Sequence, residues 1–240
     1  MRLDRYLAEA GYGTRRETKR LILKRHVTVN GRLVRDPAYQ VGPGEEVRVD
    51  GKPVSPPARK RYFLFYKPAG YVTSTADKLP TVMEFFREIP RHERLFPVGR
   101  LDRDAEGLLL VTDDGELAHR LLHPKYAVPR VYRVRVSGEV SEKALEPLRR
   151  GMEIAGERFR PAEVRILERG KGEALLEITL TEGRYHEVKR LLSAVGLKVK
   201  HLLRMRFGPL ALGNLRPGEY RELTEEEIQR LTTSGPRPPR

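Results

Sequence analysis

Three short strings in this chain carry side chains able to do chemistry together. The first is GRLDRD, Gly99 to Asp104, which runs on into AEGLLLVT and ends at Thr112. Asp102 stands between Arg100 and Arg103, and an apolar run from Leu108 to Val111 follows. A carboxylate at the loop end of an apolar strand is a common way to build a site. Flanking guanidinium groups would hold it ionised and bring it to a polyanion. Taken by itself, Asp102 would read as a turn or cap residue. The second string is RVYRVRV, in which strand alternation puts Tyr132 on one face with Val134 and Val136. A core tyrosine is the plain alternative there. The third is EGRYHEVKRLLSAVG, Glu182 to Gly196, a helical pattern with two adjacent cations, Lys189 and Arg190. With Val188 as origin, Val188, Leu191, Leu192 and Val195 fall at about 0, 300, 40 and 340° around the axis. Lys189 lies at about 100°, on the border of that apolar stripe, and Arg190 at about 200°, pointing away. Lys189 can turn inward, whereas Arg190 faces solvent or phosphate. A solvated helix face is the alternative for both, and it is stronger for Arg190. Arg184 reads equally as a phosphate contact and as a structural one.

Other chemistries find little support. His119 and His123 stand four apart with Glu116 before them, the spacing of a metal-binding helix face, but no third ligand is evident. The chain has no cysteine, which excludes disulfides and thiolate metal sites. There is no phosphate-binding Walker loop and no dinucleotide glycine fingerprint. No cofactor is expected.

The elements that must position these strings fall into two groups. In residues 1–51, Leu3, Leu7 and Ala10 recur at helical spacing, and Gly11 and Gly13 end that helix. Thr14 and Glu17 form a capping box for a second helix. Its cations Arg15, Arg16, Lys19 and Arg20 share about 140° of arc beside Leu21 and Ile22. The run VTVNGRLV is a strand broken by the hairpin signal Asn30-Gly31, and EEVRVDG supplies a last short strand. Residues 52–60, KPVSPPARK, read as a linker, with three prolines and three cations in nine residues. Residues 61–232 alternate strands, placed at 61–66, 107–112, 130–137 and 173–181, with short helices. One helix, GELAHRLLH, is expected to be capped by Asp113 and Glu116, and another to end at Gly196. That pattern predicts an α+β fold with a largely antiparallel, mixed sheet. The tail, 233–240, is expected to be disordered.

The charge points to a partner. The formal net charge is +14. Residues 1–60 hold 14 Lys and Arg against 7 Asp and Glu, so a quarter of the chain carries half of the excess. A solubilising surface would spread that charge, and its concentration in one module favours nucleic acid. No apolar run is long enough to span a membrane, and the first residues carry charges where a signal peptide has its apolar stretch. A cytoplasmic monomer is expected.

The three strings together resemble the RsuA/RluB/RluE/RluF family of pseudouridine synthases, over about residues 1–230. The first module resembles the αL RNA-binding module first known from a small-subunit ribosomal protein. The resemblance implies that Asp102 is the indispensable catalytic residue. It also implies that Tyr132 packs on the flipped uracil and that a cation of the third string, here Lys189, pairs with the aspartate. It gives Arg100 the role of filling the place of the extruded base. Arg15, Arg16, Lys19, Arg20, Arg103, Arg184 and Arg190 are then RNA contacts. Pseudouridine formation is an isomerisation and needs no cofactor. Within the family, RYFLFYKPAGYVTST, EGRYHEVKRLLSAVG and PGEYRELTEEE look most like the small-subunit member, which implies ribosomal RNA as partner and uridine 516 of 16S rRNA as target. A large-subunit (23S) enzyme of the RluB or RluF type is the alternative. A non-catalytic RNA-binding assembly factor is the rival from another class, but such a descendant would be expected to lose Asp102, Tyr132 or Lys189.

Overall fold

A computed structural model describes residues 1–55 and 60–233. The chain divides into two compact units, residues 1–60 and 61–240.

The first unit packs two helices, α1 (Leu3–Glu9) and α2 (Arg15–Leu23), with four short strands, β1 (Val27–Val29), β2 (Arg32–Leu33), β3 (Val47–Val49) and β4 (Lys52–Pro53). The capping box forms as expected: Thr14 Oγ1 accepts from the Glu17 amide, and Glu17 Oε2 accepts from the Thr14 amide. It fixes where α2 begins and so which residues face inward. Leu3, Leu7, Ile22, Val27, Val47 and Val49 make the core. Asn30 and Gly31 both adopt left-handed φ, 50° and 76°, the type I′ geometry that suits a two-residue hairpin. Asp50 and Gly51 repeat it, at 48° and 77°, and turn β3 into β4. The segment read as a linker therefore starts later than residue 52: Lys52 and Pro53 pair with β3, and Val54 is buried in the module core. Residues 56–59 of that segment lie outside the described residues.

The second unit is built on β5 (Tyr62–Lys67), β6 (Phe96–Val98), β7 (Glu106–Thr112), β8 (Arg130–Ser137), β9 (Met152–Ile154), β10 (Glu157–Phe159), β11 (Glu163–Arg169), β12 (Glu173–Leu180), β13 (Lys198–Phe207), β14 (Leu210–Ala211) and β15 (Tyr220–Glu222). Its helices are α3 (Gly115–Leu122), α4 (Glu142–Arg150), α5 (Glu187–Ala194) and α6 (Glu225–Thr233). The main sheet runs β11-β12-β8-β13-β7-β5-β15. Its pairs are antiparallel except β13 against β7, which are parallel. The fold is thus α+β with a mixed, mainly antiparallel sheet. β7 is buried from Gly107 to Thr112 because both its faces are covered: Leu108 and Leu110 pack with α3, Leu109 and Val111 with Phe65 and Phe86. In β8 only one face is covered, so Tyr132, Val134 and Val136 are buried and Arg133 and Arg135 are exposed.

One helix start differs from expectation. Asp114, not Asp113, caps α3, accepting from the amides of Glu116 and Leu117. Asp113 is taken up by Arg61, accepting from its amide at 2.9 Å and its Nε at 3.0 Å. The end of α5 follows the sequence: Gly196 has φ 79°, its amide donates to Ser193 O, and the Leu197 amide donates to Leu192 O, a Schellman closure. Thr233, assigned to the tail, is the last residue of α6; residues 234–240 lie outside the described residues.

Candidate active site

The loop between β6 and β7 carries Asp102 and is tied down from three sides. Thr73 Oγ1 donates to Leu101 O at 2.8 Å and accepts from the Leu101 amide at 3.2 Å. The Gly70 amide donates to Arg103 O at 2.7 Å, and Arg103 Nε donates back to Gly70 O at 3.1 Å. Lys67, fully buried at the end of β5, donates to the carbonyls of Pro68, Arg103 and Ala105 at 3.0, 3.2 and 2.7 Å. Burial pulls its ammonium down to about 8. Gly107 then lets β7 meet β13 closely: a Cβ there would stand 2.3 Å from Arg204 O.

Held this way, Asp102 has a cationic or hydrogen-bonding group on each oxygen. Lys189 Nζ lies 2.9 Å from Oδ2 and His186 Nε2 lies 3.2 Å from Oδ1. Lys189 also bonds both oxygens of Asp104, at 2.7 and 3.0 Å. Partial burial works against the Lys189 ammonium, but hydrogen bonds to Asp104 and Asp102 outweigh it and hold it above the ordinary lysine value. The Lys189 hydrogen bond in turn holds the Asp104 carboxyl below the usual range. His186 reaches the site because it sits just before α5 with left-handed φ, 48°, and does not cap the helix with its side chain. Such a conformation costs energy in a non-glycine residue. Glu187 closes the turn instead, accepting from the Gly183 and Arg184 amides at 2.8 and 2.9 Å. Burial pushes its carboxyl up.

Asp102 opens onto a cavity of about 560 Å³, whose lining includes Tyr132, Lys189 and His186. Two buried arginines, Arg130 and Arg204, form part of the same wall, each within 5.3 Å of the Phe207 ring centroid. Arg204 Nε donates to Leu108 O at 2.8 Å. The cavity thus joins an acid flanked by nitrogen groups, a tyrosine ring, and a wall of mixed apolar and arginine side chains, an arrangement suited to holding a flat polar ring beside a carboxylate.

The structure brings Asp102, Tyr132 and Lys189 to this one cavity, and Arg100, Arg103 and Arg184 line it as well. The pairing expected of Arg100 and Arg103 with the aspartate changes. Neither Arg100 nor Arg103 forms an ion pair with Asp102; Lys189 and His186 take that place, because the turn directs both arginines outward, where they are exposed. Arg184 is held by Glu182 at 2.9 Å and lies over the Phe159 ring. Arg190, expected to face solvent or phosphate, pairs with Glu157 at 3.0 Å and also lies over the Phe159 ring. The arriving hairpin β9–β10 covers that helix face, which the helical wheel alone does not reveal. Arg15, Arg16, Lys19 and Arg20 are exposed on α2 in the first unit, with Arg15 3.7 Å from the buried Asp4. His119 stacks edge-on with His123, whose Nδ1 accepts from the Lys125 amide, and no group of three metal-binding side chains occurs among the described residues.

Sequence reasoning missed Lys67, Asp104 and His186. A lysine closing an apolar strand before Pro68 was a legible signal, since a buried ammonium demands carbonyl partners. Asp104 lies within GRLDRD itself. For His186 the only signal was a histidine trapped between Gly183 and a helix start.

Comparison with known proteins places the chain among RNA-modifying enzymes. The family model described as RNA pseudouridylate synthase matches residues 61–194, and the S4 domain model matches residues 1–47. An uncharacterized RNA pseudouridine synthase of Aquifex aeolicus is 46% identical over 96% of this chain and 93% of its own. The ribosomal small subunit pseudouridine synthase A of Escherichia coli is 39% identical, covering 95% of this chain and 98% of its own. The ribosomal large subunit pseudouridine synthase B of Bacillus subtilis is 36% identical, covering 96% and 95%. No described helix is long and apolar enough to cross a membrane.

Proposed function

Because this chain belongs to the RNA pseudouridylate synthase family, with an S4 domain ahead of the synthase domain, we propose that it isomerises one uridine of ribosomal RNA, uridine 516 of the 16S molecule. The observation that carries this reading is Asp102, set in a cavity with Tyr132 and bridged by Lys189 and His186. The reaction breaks the N1–C1′ bond, turns the uracil, and joins C5 to C1′; C5 gives up its proton and N1 gains one, so nothing external is consumed. The base first leaves the stack, at a cost of a few kcal/mol. Asp102 then attacks C1′ or removes a ribose proton to give a glycal; both routes use the same carboxylate. Lys189 orients that carboxylate and offsets its charge. Tyr132 supports the detached uracil while it rotates. Arg100 fills the vacated place in the stack, and Arg103 meets phosphate at the cavity rim. The α2 cations bind RNA phosphates. The work takes place in the cytoplasm, where rRNA is assembled into ribosomes.

The small-subunit target rests on the three strings that resemble that member. The test is to map pseudouridine in rRNA from cells lacking the gene, with complementation by the intact chain and by Asp102→Asn. Loss at uridine 516, restored only by the intact chain, is the expected result. Loss at a 23S position would replace the target with a large-subunit one, and an unchanged map would overturn the reading.

A further inference from the structure

Tyr185 is the most exposed large apolar side chain among the described residues, at 72%. A lone exposed tyrosine on open surface needs no explanation. This one lines the cavity that holds Asp102. Its ring lies flat on His186, with centroids 3.8 Å apart and planes 16° from parallel. His186 in turn is fixed at its far edge by Asp102 and at its backbone by the left-handed turn. One face of Tyr185 is therefore occupied by a ring that cannot easily move, and the ring as a whole remains open to solvent.

We propose that the free face of Tyr185 is a stacking subsite for one unpaired base of the RNA, the neighbour of the uridine drawn into the cavity. This rests on the reading that the chain acts on a flipped uridine. Extruding that uridine leaves its neighbours with a lost stacking partner. Arg100 takes the vacated place against one neighbour; the aromatic ring at the cavity mouth receives the other, and it accepts any base because every base has a π-face. The platform is ordered before RNA arrives, so little side-chain entropy remains to be lost on binding. The surroundings favour a nucleic-acid base over an apolar protein side chain. Arg100 and Arg103 are exposed on the same cavity, and cations beside an aromatic ring are the pattern that tracks a phosphate backbone.

The test is a cycle on the full chain. The probe is a nine-nucleotide single-stranded RNA with 5-fluorouridine at its centre, bearing an abasic site either 5′ or 3′ of that position. Intact chain, Tyr185→Phe and Tyr185→Ala are titrated with the parent and abasic RNAs. For the intact chain and Tyr185→Phe, one of the two abasic sites weakens binding by about tenfold. For Tyr185→Ala the parent RNA already binds about tenfold more weakly, and the same abasic site adds less than about twofold, because the stacking contact is gone. Equal abasic penalties in the intact chain and Tyr185→Ala overturn the proposal, as does unchanged binding of the parent RNA to Tyr185→Ala. Thermal unfolding of Tyr185→Ala should match the intact chain, which separates the subsite from a folding defect. Failure of the functional reading has a different signature: the rRNA map is unchanged on loss of the gene, whatever the binding cycle gives.

Discussion

Lys189 Nζ stands 2.9 Å from Asp102 Oδ2 while also bonding Asp104, so one ammonium bridges two carboxylates two residues apart. Replacing Lys189 with Met leaves Asp102 with His186 alone and should reduce pseudouridine formation about 100- to 1,000-fold. Asp104→Asn removes only the more exposed partner, whose side chain is 73% exposed, and should cost less than about tenfold. Tritium release from RNA labelled at C5 of uridine measures both. Equal losses would show that the bridge, rather than the contact to Asp102, is what turnover requires.

Lys67 predicts a pH dependence of stability. Its ammonium is held at about 8 in the folded chain against 10.5 unfolded. Between those values the unfolded chain binds more protons, so stability rises with pH from 8 to 10.5, and the burden is fully present below 8. Urea denaturation of the second unit at pH 7 and pH 10 should show that rise, and Lys67→Met should remove it. The same substitution strips three carbonyls of their donor and should destabilise by roughly 2–4 kcal/mol.

Gly107 cannot be replaced. A methyl group at φ 108° would lie 2.3 Å from Arg204 O and 2.7 Å from Arg204 N, both backbone atoms. Gly107→Ala should destabilise the second unit by about 3 kcal/mol or more, read from the denaturation midpoint. A near-neutral result would mean that β7 and β13 can part without cost.

The cations of α2 should set the salt dependence of RNA affinity. Changing Arg16, Lys19 and Arg20 to Gln should lower the slope of log K against log salt by up to about 3, if all three meet phosphate. Unchanged slope would mean that this helix face does not touch RNA.

The sequence made the elements legible wherever a local rule governs them. The capping box at Thr14, the Asn30-Gly31 turn and the Gly196 closure all rest on a few adjacent residues, and each stands in the structure. So does β8, expected at 130–137, because one-sided burial writes strict alternation. What escaped depends on partners far along the chain. The partners of Arg190, Phe159 and Glu157, are invisible to a helical wheel, which shows only that it points away from the apolar stripe. Asp113 and Asp114 are equivalent as caps until Arg61 claims one of them. At the site, Asp102, Tyr132 and Lys189 were legible through their strings. His186 was not, because nothing in local spacing indicates that its ring turns away from its own helix.

The cradle of Lys67 and the bridge of Lys189 come from opposite sides of the acid loop along the chain. The bond of Lys67 to Ala105 spans 38 residues, whereas that of Lys189 to Asp104 spans 85. The groups that tie down the Asp102 loop, Lys67, Gly70 and Thr73, all precede it in the chain, whereas the ammonium that bridges its carboxylate follows it. A chain that ends before α5 holds the residues for every one of those ties but lacks the bridging cation, so truncation separates the acid from its partner.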